Sequence, residues 1–169
     1  AQSFAYVTNT VDNTVSVIDT DTNAVVATVT VADQPKGVAV TSDGTRAYVA
    51  SSAGHAVSVI DTSTNSVIAT VPGNGSIGIA VTPDGDRVYA AEYHNDNLAV
   101  IDTSTNTTVA VVPTRGGPLG VAASPDGTKV YITCRWSRVL VVVDTATNAV
   151  IAEIGLPQYA RSMAVSPDG

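Results

Sequence analysis

An all-β fold, a β-propeller of four four-stranded blades, is predicted by three observations. First, Tyr6, Tyr48, Tyr89 and Tyr131 recur at spacings of 42, 41 and 42 residues. Second, each tyrosine is followed 13 residues later by an aspartate (Asp19, Asp61, Asp102, Asp144), and each aspartate is followed 23 or 24 residues later by an Asp-Gly pair (Asp43-Gly44, Asp84-Gly85, Asp126-Gly127, Asp168-Gly169). Third, no stretch sustains helical periodicity, and the apolar residues are mostly Val, Ala and Ile, which favour pleated surfaces. A repeat of this length built from short strands is the signature of radially arranged blades.

The second repeat shows the elements in order, with strands A to D running outward from the axis. Lys36–Thr41 reads as inner strand A. Ser42-Asp43-Gly44-Thr45 is a turn in which glycine supplies a positive φ. Arg46–Ala50 is strand B, Ser51–His55 the B–C loop and Ala56–Asp61 strand C. Thr62–Asn65 turns the chain, with the Asp61 carboxylate placed to accept turn N–H groups, and Ser66–Val71 is outer strand D. Val15-Ser16-Val17-Ile18 and Val139–Val143 carry apolar or small residues on both faces, so each sheet needs a neighbour on both sides.

The whole chain reads as one repeat domain, residues 1–169. Its units span approximately 33–73, 74–115 and 116–159, with a further unit formed by 1–32 together with 160–169. The chain begins at a strand B (Phe4–Thr8) and stops after a strand A and its turn (Ser162–Gly169). The expectation is therefore one blade shared between the two ends, which would remove exposed strand edges.

The residues also resemble a known family. Ala5-Tyr6-Val7-Thr8-Asn9, Asn13–Thr20 and Gly37–Gly44 are similar to the YVTN β-propeller repeat, and the resemblance covers nearly the whole chain in four copies. It implies the propeller fold and kinship with secreted and surface-layer propellers of bacteria and archaea, in a wider group that includes lyases, lactonases and oxidoreductase subunits. Members usually have about seven blades per chain, whereas this chain encodes four. Three arrangements fit: a homodimeric eight-bladed ring, a tight four-bladed ring, or part of a longer propeller. The first is favoured, so self-association is expected.

Composition narrows the partners. A net charge of −7 with eight basic residues disfavours non-specific nucleic-acid binding, which needs clustered cations. No apolar run approaches the length of a membrane span. The single Cys134 cannot form an intrachain disulfide and reads as a buried small residue. The start at Ala1-Gln2-Ser3, without Met, fits signal-peptide removal or a boundary of other origin. Together with the low-charge, Thr- and Asn-rich composition, it leads to an expected location outside the cell or at its surface.

Residues that break the repeat are the candidate site. Aligned from the tyrosines, the B–C loops give the columns Asn9, Ser51, Glu92, Cys134; Thr10, Ser52, Tyr93, Arg135; Val11, Ala53, His94, Trp136; and Asn13, His55, Asp96, Arg138. The D–A crossings add Lys36, Arg115, Tyr159 and Arg161 to the same face. Lys36 and Arg161 share a column with Ile77 and Leu119. The candidate ligand-binding residues are Lys36, His55, Tyr93, Arg115, Arg135, Trp136, Arg138, Tyr159 and Arg161. His94 with Glu92 is the candidate acid–base pair. Each has a plain alternative as solvated loop surface; Trp136 reads as a packing plug or, beside Arg135, as a stacking platform for a sugar or aromatic ligand. No metal site and no cofactor are expected, and no nucleophile elbow or phosphate loop occurs. The leading function is a secreted or cell-surface binding or scaffold module presenting the channel mouth to a small-molecule or carbohydrate ligand. A propeller lyase or hydrolase acting on a small anionic substrate is the alternative enzyme reading, and a purely structural array unit or propeller fragment is the third.

Overall fold

The structure, a computed structural model, describes residues 3–168. It contains fifteen strands and, among the described residues, no helix. The first sheet holds β1 (Phe4–Asn9), β2 (Thr14–Asp19) and β3 (Ala24–Thr30). The second holds β4 (Pro35–Val40), β5 (Arg46–Ser51), β6 (Ala56–Asp61) and β7 (Ser66–Pro72). The third holds β8 (Ser76–Val81), β9 (Arg87–Glu92), β10 (Asn97–Asp102) and β11 (Thr107–Pro113). The fourth holds β12 (Pro118–Ala123), β13 (Lys129–Cys134), β14 (Val139–Asp144) and β15 (Ala149–Gly155). Every sheet is an antiparallel meander, so the chain is an all-β propeller of several blades.

Turn chemistry fixes the meander. Asp61 Oδ1 accepts from the N–H groups of Ser63 and Thr64 at 2.9 and 3.0 Å, and Asp102 repeats the arrangement with Ser104 and Thr105. The asparagines that end these turns, Asn23, Asn65, Asn106 and Asn148, all take a positive φ, which asparagine tolerates. At the opposite hairpins Gly44, Gly85 and Gly127 do the same. Each C–D strand pair carries a bulge at the same step, such as Val59/Ile60 and Val100/Ile101, which increases the local twist.

Burial explains why the sheets stack. One core cluster joins Val15, Val17 and Val29 of the first sheet to Val49 and Ile60 of the second. A second joins Tyr48, Val57 and Val59 to Val88, Ala90 and Ile101. A third joins Tyr89, Leu98 and Val100 to Ile132, Val141 and Val143. Successive residues of one strand thus feed two different cores, as in Tyr48 and Val49, and no sheet could keep both faces in water. Tyrosines also clasp neighbouring blades: Tyr48 Oη donates to Asn106 Oδ1 at 2.9 Å, and Tyr89 Oη to Asn148 Oδ1 at 3.1 Å.

The inner strands come close enough around the axis to require glycine. A Cβ on Gly37 would lie 2.6 Å from the Ile77 carbonyl oxygen, and one on Gly120 would lie 2.8 Å from that of Arg161. Gly78 meets the Leu119 carbonyl in the same way.

The shared blade is not assembled within the single chain. The first sheet has three strands, residues 156–168 carry none, and no described pairing joins them to β1. The reason is geometric. Arg161 sits against Gly120 and Thr133 of the fourth sheet, whereas β1 packs on β4 of the second. The two halves of the expected blade lie at opposite ends of the row of sheets. Ala1, Gln2 and Gly169, included in that blade, lie outside the described residues.

Candidate functional site

The B–C loops and the D–A crossings are tied together by repeated backbone bonds. The N–H groups of Ser52, Tyr93 and Arg135 donate to the carbonyls of Gln34, Gly75 and Gly117 at 3.0, 3.3 and 2.8 Å. This sets the direction of the side chains in that column. Tyr93 and Arg135 line a cavity of about 500 Å³ with Lys36, Ile77, Leu119 and Arg161. Lys36, Ile77 and Leu119 are the second residues of β4, β8 and β12, and Arg161 is their equivalent in the C-terminal segment, so the cavity lies at one end of the inner strands. Ile77 and Leu119 form its apolar wall. Sequence reasoning placed these two in the column but did not count them as site residues, because apolar residues there look like ordinary inner-strand packing.

The cavity carries three cationic side chains and no carboxylate in its lining. Other basic residues are engaged elsewhere. Arg87 pairs with Asp102 at 2.6 Å, Arg115 pairs with Glu153 at 2.8 Å, and Arg46 donates to the Thr103 carbonyl. Lys36, Arg135 and Arg161 make no ion pair among the described residues. The guanidinium of Arg135 lies 4.7 Å from the Trp136 ring centroid, and its Nε is buried without a hydrogen-bond partner among the described residues. A buried donor of this kind is costly unless something accepts from it.

The remaining candidates divide into separate groups. Trp136 and Tyr159 are exposed and meet edge to face at 6.0 Å. Trp136 folds over Gly117, where any Cβ would collide with its ring, so it is both a packed residue and an exposed one. His94 covers Gly75 in the same manner. It contacts Tyr93 edge to face at 5.5 Å, with the His55 ring 6.4 Å away. His55 and Arg138 occupy positive-φ positions that close their loops, equivalent to Asn13 and Asp96. Arg115 is held on the outer strand β15 by Glu153, the lone acid of the outer strands and the signal that could have placed it.

Glu92 does not meet His94 in any described hydrogen bond. It is buried, and its carboxylate accepts from the Asn74 backbone N–H at 3.0 Å and from Asn74 Nδ2 at 3.4 Å. Ser51, one column-mate, ties its own crossing through Ala32 at 3.0 Å. The column is therefore a structural tie between strand B and the incoming crossing. Cys134, in the same column, is buried, and burial raises its thiol pKa above the ordinary value.

Comparison with known proteins agrees with this architecture. The profile of the YNCE-like β-propeller family matches residues 71–164, more than half of the chain. The chain belongs to the YNCE-like β-propeller family. The YNCE-like chain is also similar to solved structures. Kuenenia stuttgartiensis hydrazine synthase superposes with a TM-score of 0.85 at 30% identity, over 90% of this chain and 46% of that one. A functionally unknown protein from Desulfotomaculum acetoxidans superposes with a TM-score of 0.86 at 19% identity, over 99% of this chain and 57% of that one, and shows the fold alone. The YNCE-like chain thus spans about half the length of the structures it matches. No curated protein matches it.

Proposed function

We propose that this propeller is a binding module whose channel mouth takes a small anionic ligand, displayed outside the cell or at its surface. The observation that supports this most is the convergence of Lys36, Arg135 and Arg161 on one cavity in a chain of net charge −7. Cations gathered in a recess with low-dielectric walls focus the local field and attract anions despite the overall charge. Ile77 and Leu119 supply an apolar wall, and Tyr93 a hydroxyl and a ring face, which suits a small organic anion rather than a bare ion. The acid–base reading of Glu92 with His94 gains no support, since the Glu92 carboxylate is occupied by Asn74.

Isothermal titration with citrate as the probe tests the proposal. Saturable binding that weakens at least roughly tenfold in both Arg135→Ala and Arg161→Ala, and that falls with rising salt, is the expected result. Binding that is equally strong in both variants, or no binding at low ionic strength, would overturn it.

A further inference from the structure

The D–A crossings share one backbone geometry, and one of them lacks a hydrogen bond that the others make. Gln34, Gly75 and Gly117 stand at the same point of successive crossings, each with a positive φ. The Gln34 N–H donates to Asn13 Oδ1 at 2.8 Å, and the Gly117 N–H donates to Asp96 Oδ1 at 2.8 Å. Asn13, His55 and Asp96 are equivalent in turn, each closing its B–C loop at a positive φ. His55 therefore stands where the acceptor for Gly75 belongs, and the Gly75 N–H makes no described hydrogen bond. Gly75 is buried, where an unpaired amide is costly.

The neighbours of that amide are reactive ones. Asn74-Gly75 is the one Asn-Gly pair in the sequence, and glycine has no side chain to shield its nitrogen. Asn74 is exposed, and its Nδ2 reaches the Glu92 carboxylate at 3.4 Å, longer than a firm hydrogen bond. A Cβ on Gly75 would lie 3.1 Å from His94 Nε2, so the imidazole edge lies alongside this residue. The His55 ring is 6.4 Å from that of His94. The two histidines of the chain thus meet, from different blades, beside an unpaired amide that follows an asparagine.

We propose that Asn74 is a site of self-modification, converted to aspartate and isoaspartate with the histidines as proton acceptors. An imidazole takes the Gly75 amide proton as the Gly75 nitrogen bonds to Asn74 Cγ. The Cγ–Nδ2 bond breaks, and Nδ2 leaves as ammonia with the proton returned by the imidazole. The five-membered imide is then opened by water at either carbonyl, so one water is consumed and one ammonia released. The new carboxylate faces the buried Glu92 carboxylate, and two like charges cannot share that place. The tie between strand B and the crossing is lost. Gly75 O accepts from the Tyr93 N–H at 3.3 Å, and Tyr93 lines the cavity, so the change reaches the anion site. That last consequence rests on the anion-binding reading; the modification does not.

Peptide mapping by mass spectrometry, on the full chain incubated at neutral pH without ligand, tests the proposal. Position 74 should convert faster than any other asparagine. His55→Asn supplies the acceptor that Asn13 supplies in its own loop, and should slow conversion about tenfold. His94→Phe, which keeps a ring over Gly75 but no base, should slow it as well. In urea-unfolded chains the native protein and both variants should convert at one rate. Conversion no faster than at other asparagines, unchanged rates in the folded variants, or differences that persist in urea would each overturn the proposal. The converted chain, separated by ion exchange, should bind citrate more weakly than the unconverted one, and equal affinities would refute the coupling. If neither form binds citrate, the anion-binding reading fails while the mapped conversion stands.

Discussion

Replacing Tyr89 by Phe removes one oxygen and little else, which makes it a clean probe of the clasp between blades. Tyr89 is fully buried, and its hydroxyl donates to Asn148 Oδ1 at 3.1 Å across the boundary between the third and fourth sheets. Phe fills the same space, so no cavity opens. The loss is the net hydrogen bond, about 1 kcal/mol, plus part of the cost of leaving the half-buried Asn148 oxygen unpaired, for a total of about 1.5 kcal/mol. In a chain of this length that lowers Tm by roughly 3–6 °C. Tyr6→Phe is the internal control. Tyr6 stands at the same position of the first repeat but has no described hydrogen bond, and Asn65 Oδ1, its counterpart of Asn148, is buried without a partner. Tyr6→Phe should therefore leave Tm within about 1 °C. Thermal unfolding followed by circular dichroism reads both. Equal shifts in the two variants, or none in Tyr89→Phe, would show that the clasp does not hold the blades together.

Two further outcomes follow from the same structure. Glu92→Gln keeps an acceptor for the Asn74 N–H but loses its charge, so urea unfolding should show a loss of about 1 kcal/mol while citrate affinity stays within about twofold; a collapse of binding would return Glu92 to the site. The turn carboxylates Asp43, Asp61, Asp84, Asp102, Asp126, Asp144 and Asp168 are held below their ordinary value of 3.8, first by neighbouring hydroxyls and then by turn N–H groups, with Asp126 lowered to about 2. A lowered folded-state pKa gives stability that is complete above the unfolded value and lost as pH falls through the folded one. Tm should therefore be flat above about pH 5 and decline between about 4 and 2; a decline already complete above pH 5 would contradict this.

The fold was legible because its signals are local and repeated four times. The Asp-Thr-x-Thr-Asn phrases that open at Asp19, Asp61, Asp102 and Asp144 and the Asp-Gly pairs carry their own turn geometry, and two-sided apolar strands demand neighbours. The open first sheet was not legible, because whether Met163 to Val165 reach β1 depends on how far four blades turn about the axis, which no residue encodes alone. At the mouth, the shared column of Lys36 and Arg161 was visible from alignment, as was the position of Tyr93 and Arg135. The role of Glu92 was not, since a loop carboxylate beside a histidine looks catalytic until Asn74 is seen to fill it. Arg115 was misleading for the same reason, its partner Glu153 lying 38 residues away on an outer strand.

The central claim is that Lys36, Arg135 and Arg161 together hold an anion at the channel mouth, and the side-chain Nε–H resonance of Arg135 tests it most directly. That group is buried with no acceptor among the described residues. Titration with citrate, followed by nuclear magnetic resonance of the arginine Nε–H signals, should move the Arg135 resonance downfield to saturation and shift Arg161 in parallel, while Arg46 and Arg87 stay fixed. An unmoved Arg135 signal, or a shift confined to Arg46 and Arg87 at the far turns, would contradict the account.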